Sequence, residues 1–471
     1  MAPTHDPGPD LPIKLDPCSN GEYWPQPLGA VERETIRRTR EAAAGYAQQL
    51  NVDRRAFLRS MGGAALMLAT LSACHGAARA SKGKPAGGFY RLLAEAPTEP
   101  DAAAETLAGN EFILDVQTHF LEYDAAHQAG GTFAKAFPQA ACGDADPLGC
   151  FSIEQYLEAL FLRSDTSMAV ISAVPIPGGA SPLSIDQMEK ARRTFDAACH
   201  DRRLLLHGGA FPQLGNIETT LEGMRALQAA HRIAAWKVYT HIPGRWWLDD
   251  HEVGVPRVGN AFLEEVGKSR SKICCVHKGF GNLFGAGAVE YASPVDIGPA
   301  ARAHPNVTFV VYHSGYERDP DGQEGPYDPA GTPQGVDRLV ASLAGAGVAP
   351  GANVYAELGT TWYLMLRRPA EAAHVLGKLL LAVGPERILW GTDSTWYGSP
   401  QPLIDAFRAF TIPPSFQERW GYPSLTPEVK DAILGRNARN VYPVDPGALS
   451  EDRSWAANAG PELRRVISGS G

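Results

Sequence analysis

The sequence predicts an α/β protein, a (β/α)8 TIM barrel with an N-terminal extension, and three observations carry that prediction. From Glu111 onward, short apolar runs of strand type alternate with amphipathic helical runs, eight times over. Four of those runs end in a chemically active side chain followed by turn residues: Gln117-Thr-His119, Val276-His277-Lys278-Gly279, Tyr312-His313-Ser314-Gly315 and Trp390-Gly-Thr-Asp393. A barrel presents its reactive groups in this way, at the C-terminal rim of the strands. Finally, the first strand runs into Gln-Thr-His-Phe and not into the Gly-rich phosphate-binding turn that a doubly wound open sheet requires.

Taken in order, residues 1–53 form the N-terminal extension, a Pro/Gly/Asp-rich start followed by a charged, Ala-rich helical run over 31–50. Residues 54–80 resemble a twin-arginine export signal: Arg54-Arg55, then Phe57 and Leu58, then an apolar run over 61–73. That run is too short for a permanent bilayer span. The expectation is a bacterial protein exported by the twin-arginine route, periplasmic or anchored on the outer side of the cytoplasmic membrane, with no integral span in its mature form. Leu71-Ser-Ala-Cys74 resembles a lipobox, which would give a lipid anchor at Cys74, and Ala78-Arg-Ala80 fits a signal-peptidase site. The plain alternative is a buried helix with an exposed arginine pair. A linker over 81–110, the barrel over 111–445 and a tail over 446–471 complete the division.

Within the barrel the expected strands are 112–117, 168–173, 204–210, 233–239, 272–277, 307–313, 353–358 and 387–389. Between them, 184–200, 217–231, 260–270 and 369–383 have the apolar spacing of helices with one buried face. With 44 % hydrophobic residues in a 471-residue chain, there is enough apolar material for one large catalytic domain. A net charge of −9 without a long basic run gives no support for nucleic-acid binding, so the expected partner is a small-molecule substrate; a homo-oligomer is left open. The cysteines show no CxxC spacing; Cys142 and Cys150 flank a Gly/Asp/Pro loop and could pair after export.

A lone histidine at a strand end is more often a hydrogen-bonded structural residue than a ligand. Three such histidines, each followed by turn chemistry and joined by a strand-eight aspartate, reverse that weighting. Gln117 and His119 lie two apart and share one strand face. Two imidazoles, a carboxylate and an amide oxygen, with a third imidazole nearby, make a candidate site for one divalent metal ion, zinc by the N/O ligand set or manganese at higher coordination number. Lys237 puts its charge on the inner face of strand four, and Glu357 faces inward on strand seven, where it could pair with Lys237. Lys278, His241 and Arg245 fall in loops at the active rim. Trp246, Trp247, Trp396 and Tyr397 in the loops after strands four and eight could wall an apolar pocket or pack against the barrel.

The ordered set of Gln117-Thr-His119, Val276-His277-Lys278-Gly279, Tyr312-His313-Ser314-Gly315, Trp390-Gly-Thr-Asp393 and Ile433-Leu-Gly-Arg-Asn437 resembles the amidohydrolase-related family of metal-dependent barrel enzymes over about 111–442. The resemblance implies hydrolysis of an amide, ester or lactone, or non-oxidative decarboxylation of an aromatic or unsaturated acid. It implies that His119, His277 and Asp393 are metal ligands, with Asp393 also handling the proton, and that His313 acts near substrate. Gln117 stands where the family usually has the first histidine of His-x-His, as a ligand or as a group orienting substrate. Lys237, Lys278, Glu357 and Trp396 are the expected substrate contacts. A non-catalytic, exported binding barrel is the reading from a different class that Gln117 permits.

Overall fold

A computed structural model describes residues 11–15, 18–25, 27–122, 149–199, 202–317 and 324–444, and residues 460, 461, 463 and 465. Eight parallel strands follow one another around a sheet in chain order: β1 (Leu114–Thr118), β2 (Met168–Ile171), β3 (Leu204–Gly209), β4 (Ile233–Tyr239), β5 (Ile273–His277), β6 (Thr308–Tyr312), β7 (Val354–Glu357) and β8 (Ile388–Leu389). The sheet closes on itself. Val116 N–H donates to the Trp390 carbonyl at 3.0 Å, Asp393 N–H to the Gln117 carbonyl at 2.8 Å, and Thr118 bridges Ser394 in parallel. Asp115 fastens the same seam by accepting from Thr392 N–H at 3.0 Å and from the Thr392 hydroxyl. Burial pushes the Asp115 carboxyl up to about 7, although the Thr392 and Gln117 donors pull the other way.

The expected helices appear as Ile185–Cys199, Ile217–Ala230, Gly259–Lys268 and Pro369–Ala382. Apolar helix faces pack outside the sheet, where Cys274, Val276, Val311 and Ala356 share a core with Leu376 and Leu379 of Pro369–Ala382 and Leu339 of the helix Val336–Ala346. Each such fully buried aliphatic side chain contributes about 1.5–3 kcal/mol. The barrel interior is a separate cluster including Val116, Val170, Cys275, Val310, Tyr312 and Leu389, with Tyr442 among them. Two motif glycines have steric causes. A Cβ on Gly435 would lie 1.7 Å from the Phe112 carbonyl oxygen, and one on Gly391 would lie 1.7 Å from Glu357 Oε1. Asn437 donates to the Pro385 and Ile388 carbonyls at 2.8 and 2.9 Å, tying the chain after the barrel to the base of β8.

The segment ahead of the barrel is folded against it. Helix α1 (Ala30–Gln49) packs on helix α2 (Met61–Ala80), and α2 packs on the helix Pro100–Leu107. Ser60 caps α2 by accepting from Gly63 N–H at 3.3 Å. Met67, Leu68 and Leu71 are fully buried, Cys74 is buried, and His75 Nε2 accepts from Ala370 N–H at 3.3 Å. The apolar run was expected to stop at residue 73, short of a bilayer span. The Ala- and Gly-rich continuation instead keeps the helix going to Ala80, 20 residues in all, and among the described residues it is the one helix long and apolar enough to cross a membrane. Arg54 and Arg55, both exposed, open a short helix that is capped by Asp53 and buries Phe57 and Leu58. Cys150 takes part in a disulfide, and its expected partner Cys142 lies outside the described residues.

Candidate active site

The C-terminal ends of the strands bring the expected reactive groups to one mouth. Asp393 is the centre of one half. Its Oδ1 accepts from Gln117 Nε2 at 3.0 Å and pairs with His119 Nε2 at 3.1 Å; its Oδ2 accepts from Thr360 Oγ1 at 2.6 Å and Asn20 Nδ2 at 2.8 Å. Burial raises this carboxyl, but the bond and charge of His119, with His313 and Thr360, outweigh it and bring Asp393 down to about 2. Asp393 is therefore a carboxylate at every physiological pH, with all its strong acceptor positions engaged.

The other half holds His277, His313 and Glu22, whose ligand-type atoms all lie within 4.8 Å of one another; among the described residues the expected triad of His119, His277 and Asp393 is not gathered as closely, because His119 and Asp393 pair with each other. His277 Nε2 is 3.1 Å from the Gly279 carbonyl and His313 Nδ1 is 2.7 Å from the Gly359 carbonyl, so each ring keeps its proton on that side. The opposite nitrogens carry lone pairs: His277 Nδ1 is 3.4 Å from Glu22 Oε1, and His313 Nε2 is 3.7 Å from Glu22 Oε2. Both rings are fully buried. Burial, followed by a neighbouring imidazole, holds His277 well below its usual range, and burial brings His313 down to about 4 despite Asp393 beside it. Neutral imidazoles anchored by a carbonyl on one nitrogen are the form a divalent cation binds; the other nitrogen is open in His277 and lies 3.3 Å from Gln117 Nε2 in His313. Among the described residues, the buried Nδ1 atoms of His277 and His119 and the Gln117 Oε1 have no hydrogen-bond partner. The donor set thus fits a metal ion. Burial and then the nearby Asp393 charge push the Glu22 carboxyl well above the usual range.

Backbone strain concentrates here. His313, Ser314, Thr360 and Asp393 all have φ between 55 and 64° although none is glycine. Left-handed conformations in such residues cost about 1–3 kcal/mol each and persist where the surrounding structure over-determines them.

The remaining expected contacts divide. Lys237 is buried, with Nζ 3.7 Å from the centroid of the Tyr312 ring, and among the described residues it has no hydrogen-bond partner. Burial lowers its ammonium to about 8, with Cys275, Glu22, Glu357 and Asp393 opposing. The expected Lys237–Glu357 ion pair does not form: the Glu357 oxygens accept from His313 N–H at 3.0 Å and Gly359 N–H at 2.5 Å, and burial pushes that carboxyl up to about 8. Through those bonds Glu357 shapes the β6 and β7 ends. Lys278 also departs from its expected place at the rim. Its ammonium is fully buried against Asp296 at 2.8 Å and the Tyr291 carbonyl at 3.1 Å, because the step after His277 turns it away from the mouth. Trp396 lies 6.3 Å from His119 and 5.0 Å from Phe151 between ring centroids, and Tyr397 reaches Thr360 Oγ1 at 2.8 Å. Trp246 is core, packed on Phe262 and bonded to the Tyr239 carbonyl, and Trp247 stacks on Tyr291. His241 sits 4.8 Å from His277 and is lowered to about 3 by burial and Lys278.

Sequence reasoning missed Asn20, Glu22 and Thr360. Thr360 follows β7 within a Gly-Thr-Thr turn, a signal that the strand-end logic could have used; Asn20 and Glu22 lie over 90 residues before β1 and carry no periodic signal.

Among solved structures the chain is similar to a 5-carboxyvanillate decarboxylase from Sphingomonas paucimobilis (13 % identity, 71 % of this chain and 99 % of that chain covered, TM-score 0.43). It is also similar to a probable 2-pyrone-4,6-dicarboxylic acid hydrolase from Acinetobacter baumannii (12 %, 70 % and 98 %, 0.41). A third is a 5-carboxyvanillate decarboxylase from Novosphingobium aromaticivorans with bound manganese (12 %, 70 % and 96 %, 0.42). No curated protein sequence matches. Residues 115–444, the whole barrel from Asp115 in β1 to the chain beyond Asn437, match the family described as Amidohydrolase, and the chain belongs to that family.

Proposed function

We propose that the protein is a metal-dependent hydrolase of a small cyclic or aromatic amide, ester or lactone. The observation that carries the reading is His277: one nitrogen tied to a backbone carbonyl, the other buried, unprotonated and facing the Glu22 carboxyl. His277, His119 and Asp393 would hold the ion, with Gln117 keeping Asp393 and the His313 ring in register through its amide at 3.0 and 3.3 Å. A divalent ion, zinc or manganese, supplies Lewis acidity when bound, polarising a substrate oxygen and making a water acidic near neutral pH.

This chain's own residues do the rest. Asp393 takes the proton of the attacking water and returns it to the leaving group. A carboxylate held at about 2 accepts a proton only when a donor withdraws, and Thr360 and Asn20 on Oδ2 are the donors not bound to a metal-ligand ring. His313, with Nδ1–H committed to Gly359, offers an acceptor at Nε2 and not an oxyanion donor. Lys237, a buried cation without a hydrogen-bond partner among the described residues, fits an anionic group on the substrate, and Trp396 would flank its ring.

The same Lys237 favours a second reading, non-oxidative decarboxylation of an aromatic or unsaturated acid, in which its ammonium orients the carboxylate and Asp393 passes a proton from water to carbon; His313, expected as an alternative donor there, has its N–H committed to Gly359. Product analysis on a panel of esters, lactones, amides and aromatic acids separates the two, since hydrolysis consumes water and decarboxylation releases CO2. No turnover of any panel member by metal-loaded protein would overturn both. Export of the folded chain belongs to the same proposal, motivated by the exposed Arg54 and Arg55. Replacing both with lysine is expected to leave the protein in the cytoplasm; unchanged delivery refutes the twin-arginine route.

A further inference from the structure

The N-terminal segment enters the mouth of the barrel, and its position there has no counterpart in the strand-end motifs. Ile13 and Leu15 are fully buried, and the Leu15 carbonyl accepts from Arg367 Nη1 at 3.3 Å. Tyr23 is buried against Phe280 at 5.6 Å between ring centroids, and its hydroxyl donates to the Cys18 carbonyl at 2.7 Å and lies 3.3 Å from the Tyr397 hydroxyl. Between those anchors the chain turns at Gly21 (φ 89°), and Asn20 ties the turn by accepting from Glu22 N–H at 3.0 Å. The turn aims Glu22 inward. Asn20 Nδ2 then bridges Glu22 Oε2 at 2.6 Å and Asp393 Oδ2 at 2.8 Å.

We propose that Glu22 is a metal ligand, supplied by the N-terminal segment to the same ion as His277 and completing a ligand set that Gln117 leaves short of charge. The inference rests on the metal-dependent reading above. Gln117 is neutral, and its amide nitrogen faces Asp393 and His313, so its oxygen is turned away from both. A hard or borderline divalent cation gains more from a carboxylate than from an amide. Glu22 provides one, with each oxygen facing the lone pair of a different imidazole, His277 Nδ1 at 3.4 Å and His313 Nε2 at 3.7 Å. Those separations are too long for the nitrogens and oxygens to bond one another well, and they match the spacing of atoms that share a cation between them. The independent observation is His277 Nδ1 itself, an acceptor on a fully buried ring with no hydrogen-bond partner among the described residues, directed at the Glu22 carboxylate. Cleavage at Cys74 or after Ala80 would leave Glu22 on a fragment without a peptide link to the barrel, so the active protein retains its N-terminal segment.

The test titrates full-length wild type, Glu22→Gln and Glu252→Gln with zinc and with manganese alone, after chelator treatment, against a fluorescent chelator. Glu252, bonded to Trp247 and Tyr291, is a carboxylate outside the mouth and serves as the control. Wild type and Glu252→Gln are expected to bind one equivalent equally, and Glu22→Gln more weakly by over ~100-fold, beyond the usual effect of losing an outer-shell partner. Binding by Glu22→Gln within about threefold of wild type overturns the Glu22 assignment while leaving the metal site standing. No binding by wild type overturns the metal-dependent reading and this inference with it. Should Glu22→Gln fail to fold by circular dichroism, Glu22→Asp decides: it keeps the charge with a shorter reach, so affinity lowered at least tenfold supports the assignment and unchanged affinity refutes it. Intact mass supplies a second readout, since a metal-loaded chain beginning after residue 80 would also refute it.

Discussion

Asp393→Asn is expected to lower turnover by about 10²- to 10⁴-fold, the range over which a positioned proton-transfer group acts. Asparagine keeps the size of the side chain and one of its two oxygens. It replaces an acceptor with an NH2 that meets donors from His119 and Gln117 or from Thr360 and Asn20, so at least one pair of donors is left opposed. It also cannot take a proton from water. Because the same substitution weakens metal binding, kcat must be measured on protein whose metal content has been determined by elemental analysis. A metal-loaded Asp393→Asn protein with near-native turnover on a verified substrate would refute the proton-handling role. Wild-type activity should not fall through titration of this carboxylate above about pH 3, since His119 and its neighbours hold it near 2.

His277→Ala is expected to abolish stoichiometric metal binding, with affinity reduced by more than ~100-fold. The truncation removes the lone pair at Nδ1 and leaves the Gly279 carbonyl without its donor in a fully buried place. That second effect costs about 1–3 kcal/mol on its own, so a lowered melting temperature alone says nothing about the ligand. The distinguishing measurement is the shift in melting temperature on adding metal: a ligand that binds only the folded state stabilises it in proportion to its affinity, and the variant should lose that shift. Full metal occupancy in His277→Ala would show that the ligand assignment is wrong.

The barrel was legible because its signals are local. Strands β4 to β6 are largely apolar runs, interrupted in β4 only by Lys237, and helices such as Ile217–Ala230 carry one apolar stripe, so the pattern placed them within a residue or two. The strand-end residues His119, His277, His313 and Asp393 were legible for the same reason, since a polar group at the end of a buried strand has one place to go in a closed barrel. Lys278 shows where local reasoning stops. Its position one residue past β5 reads as rim loop, but its partner Asp296 lies 18 residues away and only the folded chain reveals that the charge is already neutralised. The pairing of Lys237 with Glu357 failed likewise, because the backbone N–H groups of His313 and Gly359 claimed the carboxylate first.

The sequence by itself determined the barrel, the order of its strands and the reactive groups at their ends, all consequences of side-chain periodicity and turn chemistry within a few residues. Tertiary structure decided which polar groups face one another: that Asp393 is encircled by four donors, that Lys237 is buried without a hydrogen-bond partner among the described residues, and that Glu22 lies between two imidazoles it precedes by more than 250 residues. The physical reason is that a carboxylate's environment is set by through-space distance in a medium of low dielectric. A single acid in a proline-rich segment leaves no periodic trace of where the chain will carry it.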